Sequence, residues 1–382
     1  MKLCIIGAGA SGLCAIKNAI NYGFEDITAY EQANEIGGTW VYTDEIGKDK
    51  IGLEIHSSMY QGLQTNLPKK IMHYPDFPFP EQEKSYITAE EVLRYYQSYA
   101  DTFNLRKFIK FEHHVVRVRP LSKNNAWEVI VKDLKSGEYN LVEYDAVLVC
   151  NGHYNSPLIP FYEGQDLFEG KQMHSHDYRN AQPFKNEPVL IIGAGPSGRD
   201  AVTDIQYVAS NVTWSHHMEK LSLTKFRDNV ICKPDVSKIT KDGAIFVDGS
   251  YQQFSVIIYC TGYRYTFPFL SVDCGLTAVN NCVEPLYKHC INIKYPTMAI
   301  IGLPNFICPN QMFDLQVKFC LEFISGKRKL PNKEEMIEDL ENVKRIQLVD
   351  RELPRKKFHH LGVGYHESYY ESLAKIANIR AD

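Results

Sequence analysis

Cys4-Ile5-Ile6-Gly7-Ala8-Gly9-Ala10-Ser11-Gly12 returns near mid-chain as Leu190-Ile191-Ile192-Gly193-Ala194-Gly195-Pro196-Ser197-Gly198. Each copy is an apolar run, a G-x-G-x-x-G turn and a helix-compatible stretch, Leu13 to Asn21 in the first and Arg199 to Val208 in the second. Each is followed by a second strand-like run, Ile27 to Glu31 and Val212 to Ser215. Glycine turns after buried strands are common, so one match alone would say little. Two in the same strand, turn and helix context predict two Rossmann-type α/β folds. In such a turn the first glycine permits a tight bend, the second lets the backbone approach a pyrophosphate, and the third lets the helix pack closely. The helix N-terminus then presents free N–H groups to the phosphates.

Elsewhere in the chain, Thr88-x-x-Glu91 is a capping box that opens a helix through about Phe103. Trp127 to Lys132 and Tyr139 to Tyr144 alternate like strands around Ser136-Gly137 and read as a hairpin. Asp145 to Asn151 is a buried strand ending at Gly152, and Val256 to Gly262 repeats that pattern after the second fingerprint. The simplest layout is a first dinucleotide-binding domain, residues 1–156, interrupted by a second at 157–266 and resumed at 267–382. Met298 to Gly302 supplies the returning strand, and helices near 333–348 and 366–379 close the chain. Asp76 to Pro80, rich in proline and aromatics, is a rigid loop.

Composition narrows the function classes. With 382 residues, 44% hydrophobic, the chain has ample material for packed cores and is not a disordered protein. Its net charge of −4 gives no electrostatic reason to bind nucleic acid, and the densest basic run, Arg351 to Lys357, reads as a solvated face. No apolar run reaches the length of a membrane helix and no leader pattern is visible. The expectation is a soluble protein without a membrane anchor, cytoplasmic, or secreted if a leader has been removed. Homo-oligomerisation is left open. The ten cysteines include no C-x-x-C and read as buried small hydrophobes. Neither His174-x-His176 nor His216-His217 has the companions a metal site needs, so no metal is expected.

The two fingerprints differ in the residue that closes the second strand. In the first copy it is Glu31, placed where a carboxylate accepts hydrogen bonds from ribose hydroxyls. Aligning residues 26–31 with 211–216 places His216 at the acid position. A histidine beside Ser215 and His217 spares a 2′-phosphate the repulsion of a carboxylate and favours NADPH over NADH, although it is a weaker phosphate ligand than arginine. Two dinucleotide sites in one chain suggest a flavoprotein reduced by a nicotinamide nucleotide. Without a C-x-x-C, a disulfide acceptor is disfavoured and oxygen remains.

Phe168-Glu169-Gly170-Lys171-Gln172-Met173-His174-Ser175-His176-Asp177-Tyr178 fits F-x-G-x-x-x-H-x-x-x-(F/Y), just before the second fingerprint. Gly37-Gly38-Thr39-Trp40, Tyr60-x-x-Leu63-x-Thr65-Asn66-x-Pro68, Asp76-Phe77-Pro78-Phe79, Cys150-Asn151-Gly152-His153 and Cys260-Thr261-Gly262-Tyr263 accompany it. In these motifs, which cover most of the chain, the sequence resembles the class B flavin-containing monooxygenases, and most of all their short insect members, which include pyrrolizidine-alkaloid N-oxygenases. The resemblance implies FAD and NADPH as cofactors, O2 as co-substrate, and a flavin C4a-hydroperoxide attacked by a tertiary amine nitrogen or a thioether sulfur. It implies that Gly7, Gly9, Gly12, Glu31, Gly38, Trp40, Thr65, Asn66, Val115 and Gln316 serve FAD. It implies likewise that Gly193, Gly195, Pro196, Ser197, Gly198, Ser215 and His216 serve NADP. Asn66 is the expected catalytic residue, a neutral amide that donates a hydrogen bond without supplying a proton. His174 and Tyr178 are expected to be structural. The family commonly has arginine near position 216 and threonine where Asn151 stands. Alternatives stay open at this point: a Baeyer–Villiger ketone monooxygenase, an NADPH oxidase releasing H2O2, and a noncatalytic nucleotide sensor.

Overall fold

A computed structural model describes residues 1–81, 83–122, 126–218 and 225–380. They divide into two compact units. The first comprises Met1–Val41, Leu67–His153 and Tyr265–Asp382, the second Tyr42–Asn66 and Tyr154–Arg264. The sequence layout had left residues 42–66 in the first domain; in the structure they pack with the second.

The first unit is built on a seven-stranded sheet. Along the chain its first part runs β1 (Lys2–Ile6), α1 (Ala10–Asn21), β2 (Asp26–Tyr30), α2 (Ala89–Thr102), β3 (Ile109–Lys110), β4 (His113–Pro120), β5 (Trp127–Asp133), β6 (Tyr139–Tyr144) and β7 (Ala146–Val149). The spatial order is Leu286–Tyr287, Ile291–Asn292, Met298–Ile300, β7, β1, β2, β3, parallel from Met298–Ile300 onward. Successive side chains of a strand point to opposite faces. Leu3, Ile5, Ala146 and Leu148 therefore pack beneath α1 and the helix Pro309–Ile324, while Cys4, Ile6, Val147 and Val149 pack beneath the antiparallel β4-β5-β6 sheet. Burial on both faces explains why these strands read as unbroken apolar runs. The β5–β6 pairing is the hairpin expected from the alternation. Helix α2 starts at the Thr88–Glu91 capping box, with both reciprocal hydrogen bonds formed. The loop at 76–80 is held by rings: Phe79 stacks on Tyr95 at 3.9 Å, and the Tyr95 hydroxyl donates to the Phe77 carbonyl at 2.6 Å.

The second unit repeats the plan with β8 (Lys171–His174), β9 (Pro188–Ile192), α3 (Pro196–Ile205), β10 (Asn211–Ser215), β11 (Val230–Lys233) and β12 (Val256–Tyr259). Its five-stranded sheet has the order β11-β10-β9-β12-β8 and is parallel throughout. Val189 and Ile191 face α3, whereas Leu190 and Ile192 face a small antiparallel sheet, Val236–Ile239, Gly243–Phe246 and Tyr251–Gln253. The 16-residue helix Pro309–Ile324 was not foreseen from the sequence. The expected closing helices are Lys333–Lys344, continued by a π-helical turn at Arg345–Asp350, and Tyr365–Ala377. Among the described residues no helix is long and apolar enough to cross a membrane. Eight cysteines are buried and all ten are free; Cys232 is exposed and Cys308 half-buried, so these two are not the core hydrophobes expected of them.

Candidate functional site

Each fingerprint is a cradle whose shape depends on glycine. At Gly7 the backbone has φ +103°, and a Cβ would lie 2.5 Å from the Cys150 carbonyl oxygen at the end of β7. Gly193 has φ +109°, and its Cβ would overlap the Cys260 carbonyl, just past β12. The third glycines also match: a Cβ on Gly12 would overlap the Gly7 carbonyl and one on Gly198 the Gly193 carbonyl, so each helix sits directly on its turn. The middle glycines differ from these. Gly195 has nothing within 4 Å of a Cβ position, and Gly9 has only Gly38 there, at 3.4 Å and beyond. Open space at the middle glycine is what close approach of a phosphate requires.

The helices leave that space electropositive. Gly9 and Gly195 cap α1 and α3 without any side-chain hydrogen bond, and neither first turn holds an acidic residue. Free amides and the positive end of the helix dipole are therefore aimed outward for an anion. The turns are fixed from behind by Gly7 N–H donating to the Tyr30 carbonyl at 2.8 Å and Gly193 N–H to the Ser215 carbonyl at 2.9 Å. Glu31 is buried and its carboxylate accepts from Ala8 N–H and Ala33 N–H, both at 2.8 Å. In the second copy the loop is tied instead by the Trp214 indole, which donates to the Gly193 carbonyl at 2.9 Å. Gly37 N–H donates to the Ala8 carbonyl, laying the short 3₁₀ turn Gly38–Trp40 against the first cradle.

The stretch from Phe168 to Tyr178 has a mechanical role in the second unit. His174 is buried, and its Nδ1 accepts from His176 N–H at 3.0 Å; burial pushes its pKa down to about 4, so the ring is neutral. His176 Nε2 bonds the Ile55 carbonyl at 2.8 Å, and the Tyr178 hydroxyl donates to Asp204 on α3. The next residue, Arg179, was missed in the sequence. It is buried, and its guanidinium donates to the carbonyls of Thr43, Glu45, Ser57, His176 and Tyr178 at 2.7–3.2 Å. Gln61 N–H returns a bond to its carbonyl, and the Tyr60 hydroxyl donates to Asp200. These bonds are why residues 42–66 belong to the second unit. The only sequence cue was adjacency to the motif.

The sequence profile of the flavin-binding monooxygenase-like family matches residues 1–229 and 219–381. The chain belongs to the flavin-binding monooxygenases. It is 36% identical over 354 residues to a senecionine N-oxygenase of Tyria jacobaeae, covering 91% of this chain and 76% of that one. It is 37% identical over 348 residues to flavin-containing monooxygenase FMO GS-OX-like 1 of Arabidopsis thaliana, covering 88% and 74%. The structure of S-allyl-L-cysteine S-oxygenase from Allium sativum superimposes with a TM-score of 0.91 at 33% identity, covering 99% of this chain and 89% of the other. The protein is accordingly an oxidoreductase using FAD and NADPH, with O2 and a small molecule as substrates.

The remaining expected site residues of this monooxygenase fall in varied settings. Val115 is buried on β4 in the core with Val118, Trp127 and Val131. Gln316 is fully buried, accepting from Gly302 N–H at 2.9 Å and donating to the Tyr369 hydroxyl at 2.7 Å; both ends of its amide are thus engaged by the protein, and its direct work is to hold Gly302. Thr65 is buried and Asn66 exposed, the last two residues of the 42–66 segment. Pro196 and Ser197 form the first turn of α3. The Ser215 hydroxyl is committed to the Pro234 carbonyl at 2.8 Å. His216 Nδ1 accepts from Met218 N–H at 3.2 Å, and burial lowers its pKa, so it is a neutral ring rather than a cation. His217 is paired with Asp235 at 3.2 Å. Asn151, the departure whose effect the sequence left open, donates to the Thr266 carbonyl at 3.2 Å. Among the described residues no cluster of three or more His, Cys, Asp or Glu could hold a metal ion.

Proposed function

We propose that this monooxygenase oxygenates a soft nucleophile, either a tertiary amine nitrogen to its N-oxide or a thioether sulfur to its sulfoxide, with a plant alkaloid among the amine candidates. The observation carrying this reading is the pair of open-centred glycine cradles in one chain, taken with relatives named for N-oxygenation and S-oxygenation. When bound, the flavin takes hydride from NADPH and activates O2 for transfer to the nucleophile.

The protein's own part is binding, orientation and exclusion of water. The first-turn amides of α1 and the backbone at Gly9 would hold the FAD pyrophosphate, with Glu31 ordering the loop and retaining lone pairs for the ribose. The corresponding amides of α3 and the opening at Gly195 would hold NADP. No side-chain nucleophile is required. Asn66 is assigned as the group that would lie beside the reacting atoms, because a neutral amide donates a hydrogen bond without giving up a proton.

The test is product, not cofactor loss: a panel of tertiary amines, pyrrolizidine alkaloids, thioethers and ketones scored for N-oxide, sulfoxide or lactone. Stoichiometric H2O2 with no oxygenated product would replace this reading with an NADPH oxidase. Asn66→Ala should raise H2O2 formed per NADPH severalfold while FAD content stays constant, and a fully coupled variant would remove Asn66 from the chemistry.

A further inference from the structure

The loop from Gly302 to Cys308 leaves the carboxyl end of the Met298–Ile300 strand and leads into the helix Pro309–Ile324. That strand is parallel to β7, and β7 to β1, so the loop leaves the same sheet edge as the first glycine turn and Gly152. In open α/β sheets ligands bind beyond this edge. Phe306 stands in the loop with φ +58° and is 70% exposed. A bulky residue is an outlier at positive φ, where Gly or Asn would sit without strain, and an exposed ring gains nothing from burial. Stability does not account for phenylalanine here, whereas strained residues collect at ligand clamps.

The strain is imposed by a specific brace. Asn305 N–H donates to the His359 carbonyl at 3.1 Å, Leu361 N–H donates to the Asn305 carbonyl at 3.2 Å, and Asn305 Nδ2 donates to the Tyr265 hydroxyl at 3.1 Å. The Phe306 ring then lies against His360, centroids 4.2 Å apart. Three residues after His360, Val363 is 94% exposed. The charges acting on His360 are positive, and the run from Arg351 to Lys357 carries one exposed carboxylate, Glu352. Arg351 donates to the His360 and Leu361 carbonyls at 3.0 and 2.7 Å, Lys356 and Lys357 are exposed, and burial together with Lys357 and Arg351 lowers the His360 pKa. Arg355, by contrast, is paired with Glu284. The basic run that sequence alone assigned to a solvated face therefore lies beside an aromatic pair.

We propose that Phe306 and His360 form an aromatic wall of the substrate entrance, and that Lys357 and Arg351 make it select a nucleophile carrying an anionic group, such as an aryl or alkyl thioether carboxylate, over one carrying a positive charge. This rests on the oxygenation reading above and narrows it.

Three thioethers of one aryl core test it: thioanisole, 4-(methylthio)benzoate and 4-(methylthio)benzylamine, assayed as sulfoxide formed by the FAD-loaded enzyme at low ionic strength. The expected order of kcat/KM is anion, neutral, cation. Lys357→Glu should shift the anion-to-cation ratio at least tenfold toward the cation, through KM. Phe306→Gly should raise KM for all three at least tenfold and also raise the melting temperature, since it relieves the strained φ; Phe306→Tyr should restore KM. An unchanged charge ranking in Lys357→Glu, or a stabilised Phe306→Gly enzyme with unchanged KM, overturns this inference and leaves oxygenation standing. Sulfoxide from none of the three, with N-oxide formed from amines, also overturns it; no oxygenated product from any substrate overturns both.

Discussion

Replacing Gly195 with alanine separates ligand geometry from folding. No atom lies within 4 Å of the added methyl, and the backbone there, φ −70° and ψ −178°, suits any residue. Alanine is a poorer helix N-cap than glycine by roughly 0.5–1 kcal/mol. Restricting the unfolded chain returns about 0.4–1 kcal/mol. The net change should stay within about 0.5 kcal/mol, scarcely visible in a melting curve. On the proposed assignment of α3 to NADP, the methyl nevertheless fills the gap through which a pyrophosphate would reach the α3 amides. A hydrogen bond to a charged group contributes about 1.5–3 kcal/mol, and losing one at about 2 kcal/mol weakens NADP+ binding roughly 30-fold. Gly198→Ala is the contrast, because its methyl overlaps the Gly193 carbonyl and should destabilise the second unit by about 2–3 kcal/mol. Titration calorimetry with NADP+, a thermal melt and the FAD absorbance of each purified variant suffice. Wild-type NADP+ affinity in Gly195→Ala, or a melting temperature that falls as far as that of Gly198→Ala, would refute the assignment of the middle glycine to the nucleotide.

Arg179→Met keeps most of the side-chain volume but strips five hydrogen bonds, so it should cost the second unit about 3 kcal/mol and expose residues 42–66 to protease; an unchanged cleavage rate in that segment would contradict the role given to the guanidinium. A pH dependence arises from the buried His289–His359 pair, whose Nδ1 atoms lie 2.9 Å apart. His359 Nε2 accepts from Val283 N–H, so its proton sits on Nδ1 and is donated to His289. Burial pushes His289 down to about 4 and His359 well below its usual value. The unfolded chain takes up these protons near pH 6.5 and the folded chain does not, so the contribution is complete above pH 6.5 and is lost as pH falls toward 4. His289 alone accounts for about 3 kcal/mol over that range. Urea melts at pH 7.5 and 5.0 should show the loss and His289→Gln should reduce it; an equal slope in both proteins would eliminate the pair as its source.

What could be read in advance was whatever short-range chemistry determines. The strand, turn and helix around each fingerprint need only local apolar runs and glycines that no other residue can replace, and the Thr88–Glu91 box carries its own hydrogen-bond logic. The helix Pro309–Ile324 escaped because it is apolar on most sides, buried beside α1 and the helix Tyr365–Ala377, and so lacks the one-sided periodicity that marks a surface helix. Arg179 escaped for a related reason: its partners are backbone carbonyls, which leave no trace in residue identity. Ser215 and Gln316 were placed by resemblance at the nucleotides, yet their polar atoms meet Pro234, Gly302 and Tyr369, partners visible only once the chain is folded. Conversely, the Arg351–Lys357 run was visible as charge, but its neighbour Phe306 lies far away along the sequence.

Because Tyr42–Asn66 is bonded into the second unit while the chain on either side of it belongs to the first, the polypeptide passes between the units four times. The NADP fold is thus not a portable cassette. Recombining this enzyme with a relative at 154 and 264 alone would set Arg179 of one parent against the carbonyl register of the other. Functional chimeras require exchanging both segments together, and the same constraint couples the inheritance of Asn66 to that of the fold that holds NADP.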